Sequence, residues 1–382
     1  MRIGFDAKRA AQNRTGLGNY SRFILELLTT YAPENKYLLY TPNPHKTDLL
    51  GDLSKKGIIC YPTGTLWKKL RSCWRVWGIT NNIIKDNIQL FHGLSNELPL
   101  NIYRAKNTKT IVTIHDLIFL RYPEYYSFID RHIYTYKFKK ACINADHIIA
   151  VSECTKRDII HFFNIPEAKI DVVYQGCDEQ FKHPVEDSIK KDIKKKYQLP
   201  EKYLLYVGSI ESRKNLLLIA KALEYIKDPI DVIAIGKRTT YTQLIENFLK
   251  EKGLEGKMRI LTNIPFHELP SFYQMATTFV YPSFFEGFGI PLLEALNSGI
   301  PVIGATGSCL EEAGGPYSLY IDPNKPEELA KAIERTLKDI ELRENMINRG
   351  KEYALRFEKK IIAKKLLYIY NKTTKESHKN II

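Results

Sequence analysis

Cysteine is scarce: six residues in 382, scattered as Cys60, Cys73, Cys142, Cys154, Cys177 and Cys309, with no Cys-x-x-Cys pair. That spacing excludes a zinc ribbon and argues against a disulfide framework, so reduced thiols in the cytoplasm are expected. The chain also lacks an uncharged apolar run near the roughly 20 residues that span a bilayer. Its first residues, Arg2 to Asp6, already read as a strand, so no leader peptide is expected. Paired Cys/His ligands and RNP-like aromatic runs are missing, so nucleic acid is not an expected partner. No Asp-x-Asp triplet occurs. Neither a metal nor any other cofactor is expected. Tryptophan is rarest of all, and its three copies crowd into one stretch, Trp67, Trp74 and Trp77.

What is present reads as a two-part α/β protein. A chain of 382 residues exceeds one ordinary core, and 44% hydrophobic content is normal for a globular fold. Short β-rich runs alternate with helical patterns from end to end, as in parallel sheets covered on both faces. The rhythm breaks once. Between Phe181 and Pro200 the chain is charged, poor in apolar residues and bounded by proline. A fresh buried strand pattern, Tyr203 to Gly208, follows. The expected division is 1–180, a linker and surface helix over 181–200, a second domain over 201–355, and a final helix with its tail over 356–382. Net charge is +14. An anionic membrane surface and a lysine-rich background both explain it.

The densest chemistry lies in Glu-Gly-Phe-Gly-Ile-Pro-Leu-Leu-Glu, running from Glu286 to Glu294. A strand pattern precedes it and a helical pattern follows. The first carboxylate therefore falls on a loop and the second inside a helix. The amides of Phe288, Gly289 and Ile290 sit at that helix start, where partial positive charge holds anions. A phosphate cradle between two carboxylates suits a nucleotide-sugar. Cleaving a sugar–phosphate bond leaves a nucleoside diphosphate whose added charge must be met. Without a metal motif, cations must meet it, and Arg213 and Lys214 follow the strand end at Gly208. His115 and Asp116 end another strand. Gly16-Leu17-Gly18 resembles a dinucleotide turn, but Ser21 replaces the third glycine and the second strand ends without a ribose-binding acid. NAD is therefore not expected.

In its E-x7-E form this segment resembles that of the retaining glycosyltransferases of family 4, which adopt the GT-B fold. The Gly16-Leu17-Gly18 loop, Thr113-Ile114-His115-Asp116-Leu117, Val151-Ser152-Glu153, Val207-Gly208-Ser209 with Arg213-Lys214-Asn215, Pro301-Val302-Ile303 and Leu319 to Pro323 follow the same family in order. The resemblance implies two Rossmann-like domains facing a cleft, with the last helix crossing back to the first domain. It implies that Glu294 holds the ribose hydroxyls and that Glu286 and His115 contact the donor sugar. Arg213, Lys214, Ser209 and the amides of Phe288, Gly289 and Ile290 would grip the diphosphate, with Gly16 and Gly18 bordering the phosphates and the acceptor. One departure matters. Many members carry arginine where this chain has Ser209, a form familiar among bacterial mannosyltransferases of polysaccharide assembly.

The function expected is metal-independent transfer of a hexose, mannose from GDP-mannose being favoured, to a glycan or lipid-linked acceptor. A UDP-sugar donor, a GT-B sugar-nucleotide epimerase and a non-catalytic binding subunit are the alternatives. At helical spacing Trp67, Leu70, Trp74 and Trp77 share a side flanked by Lys68, Lys69, Arg71 and Arg75. The stretch reads in two ways: a stripe packed on the sheet, or a peripheral contact with the anionic inner face of the plasma membrane.

Overall fold

A computed structural model describes residues 1–375. The described chain forms two compact units, one of Met1–Gln175 with Lys359–Lys375, the other of Gly176–Glu358.

The sheet of the first unit contains β1 (Arg2–Asp6), β2 (Lys36–Tyr40), β3 (Ile58–Cys60), β4 (Leu90–Gly93), β5 (Lys109–Ile114), β6 (His147–Ala150) and β7 (Ile170–Val172). Their order is β3-β2-β1-β4-β5-β6-β7, parallel throughout. Helical crossovers cover both faces, so most of the strands must be apolar on both sides. Ile3, Phe5, Leu90, Phe91, Ile111 and Val112 are all fully buried. Strand order reverses between β1 and β4. In open α/β sheets ligands bind at such a switch point, outside the carboxyl ends of the strands. The final helix, Lys359–Lys375, packs on the helix Gly16–Tyr31 of this unit.

The second unit repeats the plan with β8 (Tyr203–Val207), β9 (Asp231–Ile235), β10 (Met258–Leu261), β11 (Thr278–Tyr281), β12 (Val302–Ala305) and β13 (Leu319–Ile321). The order β10-β9-β8-β11-β12-β13 is again parallel. Its switch point lies between β8 and β11. Two loops meet there: the one holding Arg213 and Lys214, and the one holding Glu286. This is the two-domain α/β architecture of GT-B proteins.

Two expectations need correction. The segment 181–200 is not a linker between domains, because its residues are built into the second unit. Phe181 is buried edge-on against Tyr273, with ring centroids 5.4 Å apart. The Val185 amide donates to Gln274 at 2.9 Å, and at the end of the helix Asp187–Tyr197, Lys196 and Tyr197 both bond Glu268. The boundary therefore falls at Gly176.

The tryptophan stretch is not one helix. Leu70 leaves helical geometry (φ −99°, ψ 52°), and a π-turn over Trp74–Gly78 rotates the chain beyond it. Trp74 lies in the core, with its indole N–H donating 3.0 Å to Asn82. Trp67 packs against that core, whereas Trp77 is exposed. Arg75, expected among the flanking surface cations, is buried and paired with Asp6 at 2.6 Å and Glu97 at 2.7 Å. The stripe is thus dismantled, with one ring in the core and one outside. Among the described residues no helix is long and apolar enough to cross a membrane.

Candidate functional site

At the switch point of the second unit the chain concentrates charge. After β8, Gly208 passes so close to Gly236 that a Cβ on Gly236 would stand 1.9 Å from the Gly208 carbonyl oxygen. The loop then makes one 3-10 turn, Ser212–Lys214, and ends at Asn215 in the left-handed region (φ +57°). The Asn215 side-chain amide donates to the carbonyls of Pro282 (3.2 Å) and Pro323 (2.8 Å), pinning the loop to its neighbours. The Phe284 amide donates to the Arg213 carbonyl at 2.9 Å, which ties the β8 loop to the β11 loop.

Glu286 is the hub of this junction. Its Oε1 accepts from Ser283 Oγ at 2.9 Å and from the Tyr281 hydroxyl at 3.1 Å. Arg213 Nη1 stands 3.2 Å away and Lys214 Nζ 3.4 Å. Lys214 also donates to the Tyr281 oxygen at 2.6 Å. Arg213 donates to the Phe285 carbonyl and, at 3.0 Å, to Glu211. Burial alone would raise the Glu286 pKa. The charges of Lys214 and Arg213, with the Ser283 hydroxyl, outweigh it and hold the carboxyl at about 2. Glu286 is therefore an ionised acceptor at neutral pH and too weakly basic to serve as a general base. Two cations stand here fixed by neighbours, which is the preorganisation that stabilises developing negative charge.

The helix Ile290–Ser298 rises from this loop. Gly289 caps it at φ +121°, and a Cβ there would press on Leu310 and Ala313 at 3.0 and 3.1 Å. Side chains at that φ are strained, so glycine is required. Cys309 Sγ lies 2.9 Å from the carbonyls of both Glu286 and Phe288, a buried prop beneath the loop. Phe288, Gly289 and Ile290 thus occupy the helix start expected from the sequence. Glu294 sits further along and is buried. Burial raises its pKa to about 7, against the opposing effect of the Tyr273 hydroxyl, which donates to Oε2 at 2.7 Å.

Ser209 lies at the same strand end, but its hydroxyl donates to Glu211 at 3.1 Å. In the loop that follows β9, Gly236-Lys237-Arg238, Arg238 is engaged with Glu246.

In the first unit, His115 follows β5. Its backbone N–H donates to Asn96 Oδ1 at 2.7 Å, and Nε2 lies 2.9 Å from the Leu94 carbonyl. A carbonyl only accepts, so Nε2 carries the proton and Nδ1 keeps its lone pair. Burial lowers the imidazole pKa to about 4, so the ring is neutral at pH 7. Tyr20 meets it edge-on with centroids 4.5 Å apart. The Tyr20 hydroxyl lies 3.1 Å from Thr113 Oγ1, which lies 2.8 Å from His92 Nε2. His92 Nδ1 in turn lies 2.5 Å from the hydroxyl of Tyr370 on the last helix. Gly18 has a packing role: a Cβ there would lie 1.9 Å from the Asn13 carbonyl oxygen. Gly16 meets nothing within 4 Å.

The structure therefore unites Arg213, Lys214 and Glu286 in one cluster. Phe288, Gly289, Ile290 and Glu294 lie on the helix that the cluster's loop starts, and Ser209 is on its edge. Sequence reasoning missed Tyr281, Ser283, Glu211 and Tyr273. Tyr281 and Ser283 carried one available signal: Tyr281 closes the strand β11 and Ser283 stands in the loop that runs from it into Glu286. Tyr273 carried none.

Two family descriptions match this chain, "Glycosyl transferases group 1" over residues 188–353 and "Glycosyltransferase Family 4" over 22–181. It is 32% identical over 278 residues to O-antigen chain mannosyltransferase B of Escherichia coli, covering 70% of each chain. It is 30% identical over 247 residues to O-antigen chain mannosyltransferase RfbU of Salmonella typhimurium, covering 65% of each. Among solved structures, sucrose-phosphate synthase from Thermosynechococcus elongatus superposes with a TM-score of 0.78 at 21% identity, over 97% of this chain and 98% of that one. Anabaena Alr3699/HepE in complex with UDP and glucose superposes with a TM-score of 0.76 at 16% identity, over 97% and 100%. These likenesses to solved structures show a common fold.

Proposed function

Because the chain belongs to glycosyltransferase family 4 and is a glycosyltransferase, we propose that it moves mannose from GDP-mannose, with retention and without a metal, to a glycan or lipid-linked acceptor. The observation that carries this reading is the half-buried Arg213–Lys214–Glu286 cluster at the switch point of the second unit. Mannose is favoured because similar proteins are O-antigen mannosyltransferases. By resemblance to members of the family, the run from His115 to Glu124 and the Gly208-Ser209…Arg213-Lys214-Asn215 form lean toward a guanosine diphosphate donor.

In this reading the donor diphosphate lies against Arg213, Lys214 and the amides at the start of the helix Ile290–Ser298. Ser209 adds a hydroxyl, and Gly16 and Gly18 line the phosphate and acceptor side. As the bond from the anomeric carbon to phosphate oxygen breaks, its electron pair goes to that oxygen, where the two cations and the amides receive the charge. The acceptor hydroxyl oxygen bonds the same carbon, and its proton passes to the departing phosphate. Glu286, ionised throughout the neutral range, accepts hydrogen bonds from sugar hydroxyls and opposes positive charge at the anomeric carbon. Neutral His115 offers the Nδ1 lone pair to a sugar hydroxyl. Glu294 accepts both ribose hydroxyls when ionised. The basic net charge suits work at the cytoplasmic face of a membrane, where lipid-linked acceptors are found.

Thermal denaturation with GDP-mannose, GDP, UDP-sugars and ADP-sugars tests the donor. A ligand at a hundred times its Kd adds about 2.7 kcal/mol and raises the midpoint of a unit of this size by about 5–10 °C. A shift with guanosine nucleotides alone supports the reading. A shift with uridine nucleotides alone replaces GDP-mannose by a UDP-sugar. No shift with any of them overturns the nucleotide site.

A further inference from the structure

We propose that Tyr370, His92 and Thr113 are positioning residues: with Tyr20 they form a buried relay from the last helix to His115 that sets the plane of its imidazole. The proposal rests on the role given above to His115. The relay lies wholly within the first unit. Tyr370 comes from the helix Lys359–Lys375, His92 from β4, Thr113 from β5 and Tyr20 from the helix Gly16–Tyr31. The last helix thus returns, 278 residues after His92, to place a hydroxyl 2.5 Å from its Nδ1. All four residues are buried: Tyr20 is 3% exposed and the other three are fully covered. Thr113 Oγ1 stands between His92 Nε2 at 2.8 Å and the Tyr20 hydroxyl at 3.1 Å. The Tyr20 ring then meets the imidazole of His115 at an interplanar angle of 88°.

Holding the last helix in place does not require such a chain. Ile362, Ala363, Leu366 and Ile369 already bury its inner face. Four polar groups sunk in a core cost stability unless each finds a partner, and a fully paired network fixes one arrangement. What this arrangement fixes is Tyr20. The bond from His115 Nε2 to the Leu94 carbonyl at 2.9 Å pins one ring atom and leaves rotation about that bond. The edge-on Tyr20 ring blocks the rotation, and its own hydroxyl, held by Thr113, keeps it there. The protons give the relay a direction. Burial, and then the neighbouring His115, hold the His92 pKa at about 3, so that ring is neutral and has one N–H. A phenol is a stronger acid than a neutral imidazole N–H, so Tyr370 donates to Nδ1. Nε2–H then donates to Thr113, and Thr113 donates to Tyr20. Without the Tyr370 hydroxyl the tautomer of His92 is no longer set, and both later links are free to reverse.

Two variants of the full chain test the relay: Tyr370→Phe, which removes the hydroxyl at its start, and Tyr20→Phe, which removes only the one at its end and is the milder change should the first not fold. Nuclear magnetic resonance of histidine-labelled protein without substrate reads the ring, with His115→Asn assigning its signals. Each variant should displace or broaden the His115 ring signals. Both variants keep their aromatic rings, so a shift reports orientation and not the loss of a neighbour. Single-turnover release of GDP from GDP-mannose reads the consequence. Each variant should lower the maximal rate by about ten- to hundred-fold, with the half-saturating donor concentration little changed. In a His115→Asn background, Tyr370→Phe should lower the rate no further, because its effect passes through the missing ring. His115 signals unmoved in the folded variants overturn the relay, and so do losses that multiply in the double variant. A His115→Asn protein that keeps the wild-type rate overturns instead the role of His115 on which the proposal rests, so the two failures are told apart.

Discussion

Replacing Lys214 by alanine isolates the effect of one fixed charge on the leaving group. Its ammonium donates to Tyr281 at 2.6 Å and lies 3.4 Å from Glu286, with both side chains about 15% exposed (15% and 14%). In the reacting complex this ammonium would face the departing diphosphate. By analogy with a lost oxyanion donor, its removal should lower kcat by about 10²–10³, or roughly 2.7–4 kcal/mol of transition-state stabilisation. The structural cost is separable. Glu286 keeps Ser283 at 2.9 Å, Tyr281 at 3.1 Å and Arg213 at 3.2 Å, so the half-buried carboxylate is not orphaned. The loss should stay near that of one charged hydrogen bond, about 1.5–3 kcal/mol. It should fall below the roughly 3–5 kcal/mol of a broken buried pair. In a unit of this size that lowers the melting midpoint by about 4–10 °C.

The pH dependence provides an internal control. Glu286 has a folded pKa held at about 2, below its ordinary value of 4.5. Its contribution to stability is present above pH 4.5 and is lost as pH falls toward 2. Without Lys214 the folded pKa rises, so the acid loss of stability should still begin near pH 4.5 but end at higher pH and total less. Single-turnover donor cleavage, with calorimetric nucleotide binding and acid unfolding beside it, reads all three effects. A folded Lys214→Ala protein with unchanged kcat would refute the role given to this residue.

Other substitutions discriminate further. Glu294 has a folded pKa raised to about 7 by burial, and only its ionised form accepts both ribose hydroxyls. Nucleotide affinity should therefore fall as pH drops from 8 to 6, by at most about ten-fold per unit, and Glu294→Gln should flatten that dependence. The sign for stability is the reverse: this carboxyl binds a proton in the folded state between pH 4.5 and about 7, so stability declines as pH rises through that window. Tyr273→Phe removes the donor that opposes the rise, and the affinity midpoint measured by titration calorimetry should move to higher pH. Gly18→Ala places a Cβ 1.9 Å from a backbone oxygen and should destabilise by more than about 2 kcal/mol, while Gly16→Ala, in open space, should change stability by less than about 1 kcal/mol. Parallel melts of the two variants check this.

Most of the fold was legible because parallel strands announce themselves. Runs such as Tyr203–Val207 and Thr278–Tyr281 are largely apolar on both faces and flanked by helical patterns, and the thirteen strands among the described residues lie at such short β-rich runs. The Glu286 to Glu294 segment was legible for a similar reason. A strand, a glycine-bearing loop and a helix in succession leave few choices for where the first carboxylate goes. The rest depended on tertiary contacts with no local signature. Nothing around Tyr273 marks it as the partner of Glu294, 21 residues on. The pairing of Arg75 with Asp6, across 69 residues, turned an expected surface cation into a buried one. The tryptophan stripe failed because helical spacing was assumed across Leu70, where the backbone leaves the helix. Residues 181–200 looked like a linker because lysine dominates them and proline stands near each end. Yet Phe181, Ile193 and Leu199 within that segment are all buried.

The claim underlying the chemistry is that Arg213, Lys214 and main-chain dipoles carry the leaving diphosphate without a divalent ion. Its most direct test is donor turnover by metal-stripped protein in excess chelator, with and without added magnesium or manganese. Turnover should persist in chelator and be indifferent to either ion. Turnover that disappears in chelator and returns only with the metal would contradict the claim.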